Sequence, residues 1–433
     1  MIDDDKPKLE VAVGTSIKQD ARQAGREVAE NTLKQMKSKP NFFLLFSTIN
    51  YDDYGGFQDF LNGVWEVLPE GTPLVGGTVF GFLNSQGCYA KGATAMAVSY
   101  PNMNVTVGYG KNTKRSPKKA ARRCAKMLKN GLKNKYNNKF LFSMISGFTL
   151  PKVPKKSQEV AFVKSVILAR MAVPVLNFYQ KVFQRGFGNE EYILEKLTKE
   201  LPEFELIHGS SIDDMKTTRK YEFYNKTVFT NSIVCLGLET DIDFDLNFTT
   251  GVTSFEGNNI ELEKIELSKD KRLIKKINDK PAYPEFLRLM NWTEESLEIK
   301  AIDRIIRFPI AYYKNDKILV RVILLVLGTS LGFIHKFEGK NGFVVQMTQQ
   351  KLVGSIDELL TLNKPEFGFF VSCCFYQMFL GYNVYEVQEK LKKYFQDKPF
   401  LFISAGGEGT YIPNEGIYFL NETTVSAIFG EKQ

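Results

Sequence analysis

Asn41-Phe-Phe-Leu-Leu-Phe-Ser47 opens the pattern that decides the fold. An amphipathic stretch follows, with apolar positions at Phe57, Phe60, Leu61, Val64, Trp65 and Leu68, and then Pro69-Glu-Gly-Thr-Pro-Leu-Val-Gly76-Gly77. A short apolar run bounded by small residues reads as a buried strand, and apolar spacings of three and four read as a helix. The same order returns from Phe367-Gly-Phe-Phe-Val-Ser-Cys373 through Val384, Val387, Leu391 and Phe395 to Lys398-Pro-Phe-Leu-Phe-Ile-Ser-Ala-Gly406-Gly407. A middle copy runs from Lys139-Phe-Leu-Phe-Ser-Met-Ile-Ser-Gly147, resumes at Tyr192–Leu201 after a long insertion, and closes at Pro202-Glu-Phe-Glu-Leu-Ile-His-Gly209-Ser210.

Strand, helix and strand joined by short loops make a parallel pair through a right-handed crossover. A glycine doublet after the second strand lets the backbone turn and lets a ligand approach its amides. The first strands end in Ser47-Thr48, Ser146-Gly147 and Ser372-Cys373, on the side where open α/β sheets bind ligands. The expected fold class is therefore α/β, with α+β as the variant: two related mixed-sheet modules with flanking helices. A boundary is expected near Lys269–Pro284, giving modules 1–270 and 271–433, the first carrying an insertion at about 154–190. Further strands are expected at Ala93–Ser99, Val228–Leu238, Phe244–Thr253, Ile305–Tyr312 and Gly416–Thr424. The run from Val160 to Val173 reads as a helix apolar around much of its circumference, fit for a domain contact, a homodimer contact or a membrane surface.

Composition narrows the function. With 433 residues, 43% hydrophobic and 24% charged, the chain is long enough for two or three domains and too apolar to be disordered. Five cysteines without CxxC spacing argue against a disulfide framework and a thiolate zinc site, and two histidines argue against imidazole-rich metal chemistry. The start, Met-Ile-Asp-Asp-Asp-Lys, has no apolar signal core, so a cytoplasmic protein is expected. Ile318–Ile334 is apolar enough to suggest a membrane span, but Arg321 splits it and favours a core strand, so no transmembrane segment is expected.

The net charge of +8 is local. Twelve of the 57 basic residues fall between Lys111 and Lys139 with no acid among them, leaving 45 against 49 elsewhere. Ser116-Pro117 starts a helix there, with Ala120, Cys124, Met127 and Leu128 on one stripe. The face is either solvated or a contact for an anionic partner; without interleaved aromatics, specific nucleic-acid binding is not expected.

The C-terminal words Phe402-Ile-Ser-Ala-Gly-Gly-Glu408, Tyr411-Ile-Pro413 and Leu420-Asn421-Glu-Thr423-Thr424 resemble the C-terminal module of FIST proteins. Phe370-Val-Ser-Cys373 resembles the same module's Ser-Cys strand. Phe46-Ser47, Tyr51-Asp52 and Val75-Gly-Gly-Thr-Val-Phe-Gly81 look like the N-terminal FIST module, and Gly209-Ser-Ser-Ile-Asp213-Asp214 and Asp279-Lys-Pro281-Ala282 stand in family order. The resemblance implies an intracellular sensor of small molecules such as amino acids or similar small acids, signalling here through a separate partner protein. Some bacterial members of the family are haem-dependent nitric oxide sensors. Where many members carry an arginine after the Ser-Cys step, this chain has Tyr376 and Gln377, which points to a different ligand preference.

The ligand site is expected at Gly76, Gly77, Ser210, Asp213, Cys373, Gly406, Gly407, Glu408 and Asn421. Glu408 stands among glycines, offering a carboxylate beside free amides, or else serves to accept amides within its own turn. Cys373-Cys374 is read as alternating in a strand, one thiol to each side. The alternative function is an enzyme acting on a small acid or amide with Glu408 as base and Cys373 as nucleophile. No cofactor is expected, haem on His208 being the minority reading. Asp213 and Asp214 either ligate a hard cation or cap a turn; no metal site is expected.

Overall fold

The computed structural model describes residues 8–149, the backbone of 161–163, and residues 178–254, 260–294, 304 and 306–432. It is a mixed α/β protein built from one topology used three times. Each unit runs edge strand, helix, central strand, helix, partner strand, hairpin and return strand.

In unit I these are Glu10–Ser16, Ala21–Leu33, Phe42–Ser47, Phe57–Trp65, Leu74–Thr78, the hairpin Gly81–Asn84/Gly87–Tyr89, and Ala93–Ser99. Unit II has Met103–Lys111, Pro117–Gly131, Asn138–Ser146, Glu190–Glu200, Glu205–Ser211, Glu222–Tyr224/Thr227–Phe229 and Ser232–Thr240. Unit III has Phe244–Thr249, Gln349–Ser355, Lys364–Cys373, Val384–Phe395, Phe400–Ala405, Glu408–Ile412/Gly416–Leu420 and Thr424–Glu431. Central and partner strands are parallel in all three, and the return strand lies antiparallel between central and edge strands.

The hairpins do not stay at home. The hairpin of unit II completes sheet I beside Leu74–Thr78, that of unit III completes sheet II beside Glu205–Ser211, and that of unit I completes sheet III beside Phe400–Ala405. Three equivalent bonds close this ring: Ile212 N donates to Thr78 O (3.0 Å), Gly406 N to Ser210 O (2.8 Å) and Phe80 N to Ser404 O (2.8 Å). At the centre, Phe46, Phe142 and Phe369 of the three central strands meet, ring centroids 5.7, 5.8 and 5.1 Å apart. Such edge and offset contacts are the favoured aromatic geometries.

The alternation of each central strand explains the layers. Phe42, Leu44 and Phe46 face the shared core, as do Phe140, Phe142 and Met144, while Phe43 and Leu45, and Leu141 and Ile145, face helices of their own unit. In unit I, Asp20 caps the first helix by accepting from Gln23 N at 2.9 Å. Its Gly25 faces Gly63 of the second helix: a Cβ at Gly25 would stand 1.9 Å from Phe60 O, and one at Gly63 2.0 Å from Arg22 O. The two helices touch backbone to backbone because both residues are glycine.

Residues between the edge strand and first helix of unit III form two small additional sheets. Here the sequence reading needs correction. Ile318–Ile334 is not one strand but three, Lys317–Arg321, Leu325–Leu327 and Ser330–Gly332; Gly328, at φ +60°, turns the chain between the last two. Residues 161–163, expected within a helix, form a strand parallel to Leu325–Leu327, whose backbone supplies the pairing; the rest of that helix lies outside the described residues. Val228–Leu238 divides at Asn231, which has φ +50°, into the end of a hairpin and the start of a return strand. No helix among the described residues is long and apolar enough to cross a membrane.

Candidate functional site

The three parallel pairs end on one side, where the ring-closing bonds place the expected residues next to one another. Ser210 and Gly407 share a backbone bond (Ser210 N to Gly407 O, 2.8 Å), and Ile212, bonded to Thr78, lays its side chain over Gly406. Gly76 and Gly77 abut this end but are packing positions: a Cβ at Gly76 would lie 1.7 Å from Leu45 O, and one at Gly77 2.5 Å from Tyr221 O. Asp213 accepts from the amides of Thr217, Thr218 and Arg219 at 2.6–3.0 Å and so holds the loop 213–219 in shape. Asn421 lies half-buried in the turn before the return strand.

Around Ser210 is a buried polar chain. His208 meets Ser143 Oγ through Nδ1 at 3.1 Å and Ser210 Oγ through Nε2 at 3.2 Å, and Ser210 donates to Glu190 Oε1 at 3.2 Å. Burial drops the His208 imidazole to about 3, so it is neutral. Both its nitrogens are engaged within the sheets, so His208 as placed offers no free ligand atom to a haem iron.

The second histidine comes to the same place. His335 is buried and neutral, held well below its usual range by burial and then by Arg321 and Arg272. The Cβ that Gly407 lacks would sit 3.4 Å from His335 Nε2 and 3.5 Å from Ser210 Oγ, so glycine leaves a gap flanked by a hydroxyl and an imidazole. Glu191 fixes the far side, pairing with Arg272 at 3.0 Å and accepting from Lys336 N at 2.7 Å.

Two buried lysines complete the cluster. Lys114, directly before the helix Pro117–Gly131, donates to Thr149 Oγ1, and Thr149 Oγ1 lies 3.4 Å from Gly147 O. Lys220 Nζ lies 3.8 Å from where a Cβ of Gly147 would be. Burial, and then each other's charge in the case of Lys114, depresses both amines: Lys114 to about 7, and Lys220 to about 8 against the opposing pull of Asp213, Glu190 and Glu222. Glu190 and Glu222 are both raised by burial, Glu222 to about 7.

Glu222 and Glu408 hold equivalent positions in the threefold pattern, opposite Gly77 and Gly209. Each ties its hairpin to the start of its own unit's return strand. Glu222 accepts from Ser211 Oγ (2.6 Å) and from Ser232 N and Oγ (3.1 and 2.8 Å); Glu408 accepts from Thr423 N and Oγ1 (2.9 and 2.6 Å). In unit I the carboxylate and the hydroxyl are absent together: Phe82 stands opposite Ile403, and a Cβ at Gly92 would lie 3.5 Å from its ring. Glu408 is 1% exposed, and burial raises it to about 7.

The cysteine pair departs from expectation. The strand ends at Cys373 and a helix starts at Cys374, so both thiols are buried side by side rather than on opposite faces. Cys374, burial and Glu408 keep the Cys373 thiol well above its ordinary range, so as placed it is not a ready thiolate. Glu422, fully buried and in left-handed backbone (φ +54°), is raised by burial and by Glu408. Among the described residues no group of three or more His, Cys, Asp or Glu is arranged to hold a metal ion.

Lys114, Lys220, Glu190, Glu191, Glu222 and His335 were not anticipated. Lys114 is hidden in a run whose other members are exposed or half-buried; only its place between a strand end and a helix start distinguishes it.

Among curated proteins, no sequence matches the chain significantly. Among solved structures, a cyanuric acid hydrolase from A. caulinodans aligns at 9% identity and TM-score 0.27, covering 64% of this chain and 84% of its own. PurL of T. maritima complexed with AMPPCP aligns at 10% identity and TM-score 0.20, covering 98% of this chain and 73% of its own. At such scores neither likeness bears on fold or function. The model of the FIST N domain matches residues 41–280, more than half of the sequence, and the chain therefore belongs to the FIST family of small-ligand sensory domain proteins.

Proposed function

We propose that the protein is a sensor of an amino acid or similarly small acid, that it binds this ligand at the common end of its three parallel strand pairs, and that it signals through a separate partner protein. The observation that carries the reading is a linked run of buried polar groups: Ser210 and His335 flank the side-chain gap at Gly407, Ser210 donates to Glu190, and Lys220 lies beside Gly147 with Lys114, Glu190 and Glu222 as its charged neighbours. Buried charges of both signs beside a hydroxyl can meet an ammonium and a carboxylate together, the demand an amino-acid-like ligand makes. Glu408 sits one residue beyond the gap and supports its rim through Thr423.

The test fills the gap. Alanine at Gly407 makes ordinary van der Waals contacts, 3.4 Å to His335 and 3.5 Å to Ser210, so folding should be kept. Native mass spectrometry of the purified protein identifies the retained small molecule, and calorimetry compares the wild type with Gly407→Ala. The expected result is an unchanged melting temperature with binding weakened tenfold or more. Unchanged binding by Gly407→Ala places the ligand elsewhere.

For the output, the exposed face of the helix Pro117–Gly131 supports contact with an acidic partner. Lys118, Lys119, Arg122 and Lys126 all stand exposed there.

A further inference from the structure

Lys220 is buried to 6% exposure where central strand II ends, and no hydrogen bond from its Nζ to a described residue accompanies that burial. Asp213, the carboxylate that pulls on it most, directs its oxygens to the loop amides 217–219, and Glu222, two residues on, accepts from Ser211 and Ser232. Lys114, the second buried amine, is anchored on Thr149, whose hydroxyl reaches back to the carbonyl of the same Gly147 that Lys220 approaches. Two lysines thus converge on one glycine, one of them held by a hydroxyl. A buried lysine next to a second cation is the arrangement that makes an amine nucleophilic near neutral pH.

We infer that Lys220 captures the carbonyl carbon of a small 2-oxo acid as an imine, with Lys114 taking the acid's carboxylate. The step balances without an oxidant or reductant. The neutral amine adds to the carbonyl, and the carbonyl oxygen departs as water with two hydrogens, leaving a carbon–nitrogen double bond. This reading rests on the ligand site proposed above and names a ligand class and a covalent mode for it.

The charged groups that face Lys220 among the described residues are Asp213, Glu190 and Glu222 on the acidic side, with Lys114 on the basic side and Cys374 as a neighbouring thiol. Burial outweighs the carboxylates and sets the amine at about 8. An exposed lysine near 10.4 has roughly two hundredfold less neutral amine at pH 7.

The experiment treats the full-length protein with glyoxylate and borohydride between pH 6 and 9, followed by peptide mass mapping. The expected result is one carboxymethyl group, placed on Lys220, formed at pH 7 at least tenfold faster than on any exposed lysine and with a midpoint near pH 8. Lys220→Arg should lose that adduct. Lys114→Met should slow it with glyoxylate more than with acetaldehyde, which has no carboxylate. Labelling confined to exposed lysines, or equal in wild type and Lys220→Arg, overturns the inference, and the wild-type pH profile decides the matter if either variant fails to fold. Tight reversible binding that Gly407→Ala abolishes, without any adduct, would retain the sensor and reject the imine. An adduct at Lys220 with no native ligand recovered would do the reverse.

Discussion

Replacing Glu408 by glutamine separates a structural latch from a ligand contact. The side chain is 1% exposed, and its Oε1 accepts from both the amide and the hydroxyl of Thr423. Glutamine keeps that acceptor and places an amide where Oε2 stands beside Glu422. Burial raises Glu408 from 4.5 to about 7, so the folded protein holds this proton to higher pH than the unfolded chain does. Its contribution to stability is therefore full below about pH 4.5 and is lost as the pH rises through about 7. Two and a half pH units at about 1.4 kcal/mol each make a loss of about 3 kcal/mol. Glu222, raised to about 7 in the equivalent position, adds a slope of the same sign. Buried His208, His335, Lys114 and Lys220 tilt the absolute profile the opposite way in both proteins, so the test is the difference: urea unfolding at pH 5, 6, 7 and 8 should show Glu408→Gln gaining stability relative to the wild type as the pH rises. Identical slopes in the two proteins, or marked destabilisation of the variant at pH 8, would refute the latch reasoning. A tenfold to hundredfold loss of ligand binding with an unaltered pH profile would instead give Glu408 to the ligand.

Gly25→Ala should destabilise by about 1–3 kcal/mol, read as a lower melting temperature, because the new methyl meets Phe60 O at 1.9 Å and forces the two helices apart. Phe46→Ala, at the meeting of the three central strands, should cost about 3–5 kcal/mol in denaturant unfolding; a cost under about 1 kcal/mol would mean the aromatic cluster does not couple the units. Arg321→Met leaves the carbonyls of Lys336 and Phe419 without their buried donor, and should expose the additional sheets to limited proteolysis before the rest of the chain. Neutralising Lys118, Arg122 and Lys126 together should abolish salt-sensitive retention on a polyanion column while leaving calorimetric ligand binding unchanged.

The repeated unit was legible because its signals are local. Phe42–Ser47, Phe140–Ser146 and Phe367–Cys373 are apolar runs with small ends, each followed by a helical spacing and a glycine step, and each is a central strand. Ala93–Ser99 has the bounds its composition implies. The hairpin exchange was not legible. Glu222–Phe229 pairs with residues almost 150 positions earlier, and nothing in a three-residue strand announces its partner. The site was half legible for the same reason. Ser210 and Gly407 lie at strand ends that the pattern marks, whereas Lys220 stands in Lys-Thr-Thr-Arg-Lys, which reads as solvated until the loop held by Asp213 turns it inward. Cys374 was misjudged because a strand-to-helix junction falls between two identical residues.

The exchanged hairpins also impose a timetable. As the chain leaves the ribosome, sheet I is short of two strands until residue 229 has emerged, and sheet II until residue 420. The hairpin Gly81–Tyr89 is made early and waits longest, since Asn84 pairs with Leu401, 317 positions later. Until then its edge and the apolar faces of Phe82 and Leu83 are uncovered, the condition in which unfinished chains associate wrongly. A release of synthesis anywhere before residue 405 leaves not two finished units and a fragment but an open ring, with a vacant sheet edge for every hairpin not yet made. Expression of the N-terminal 240 residues alone should accordingly give aggregates, and supplying residues 244–432 in trans should rescue them.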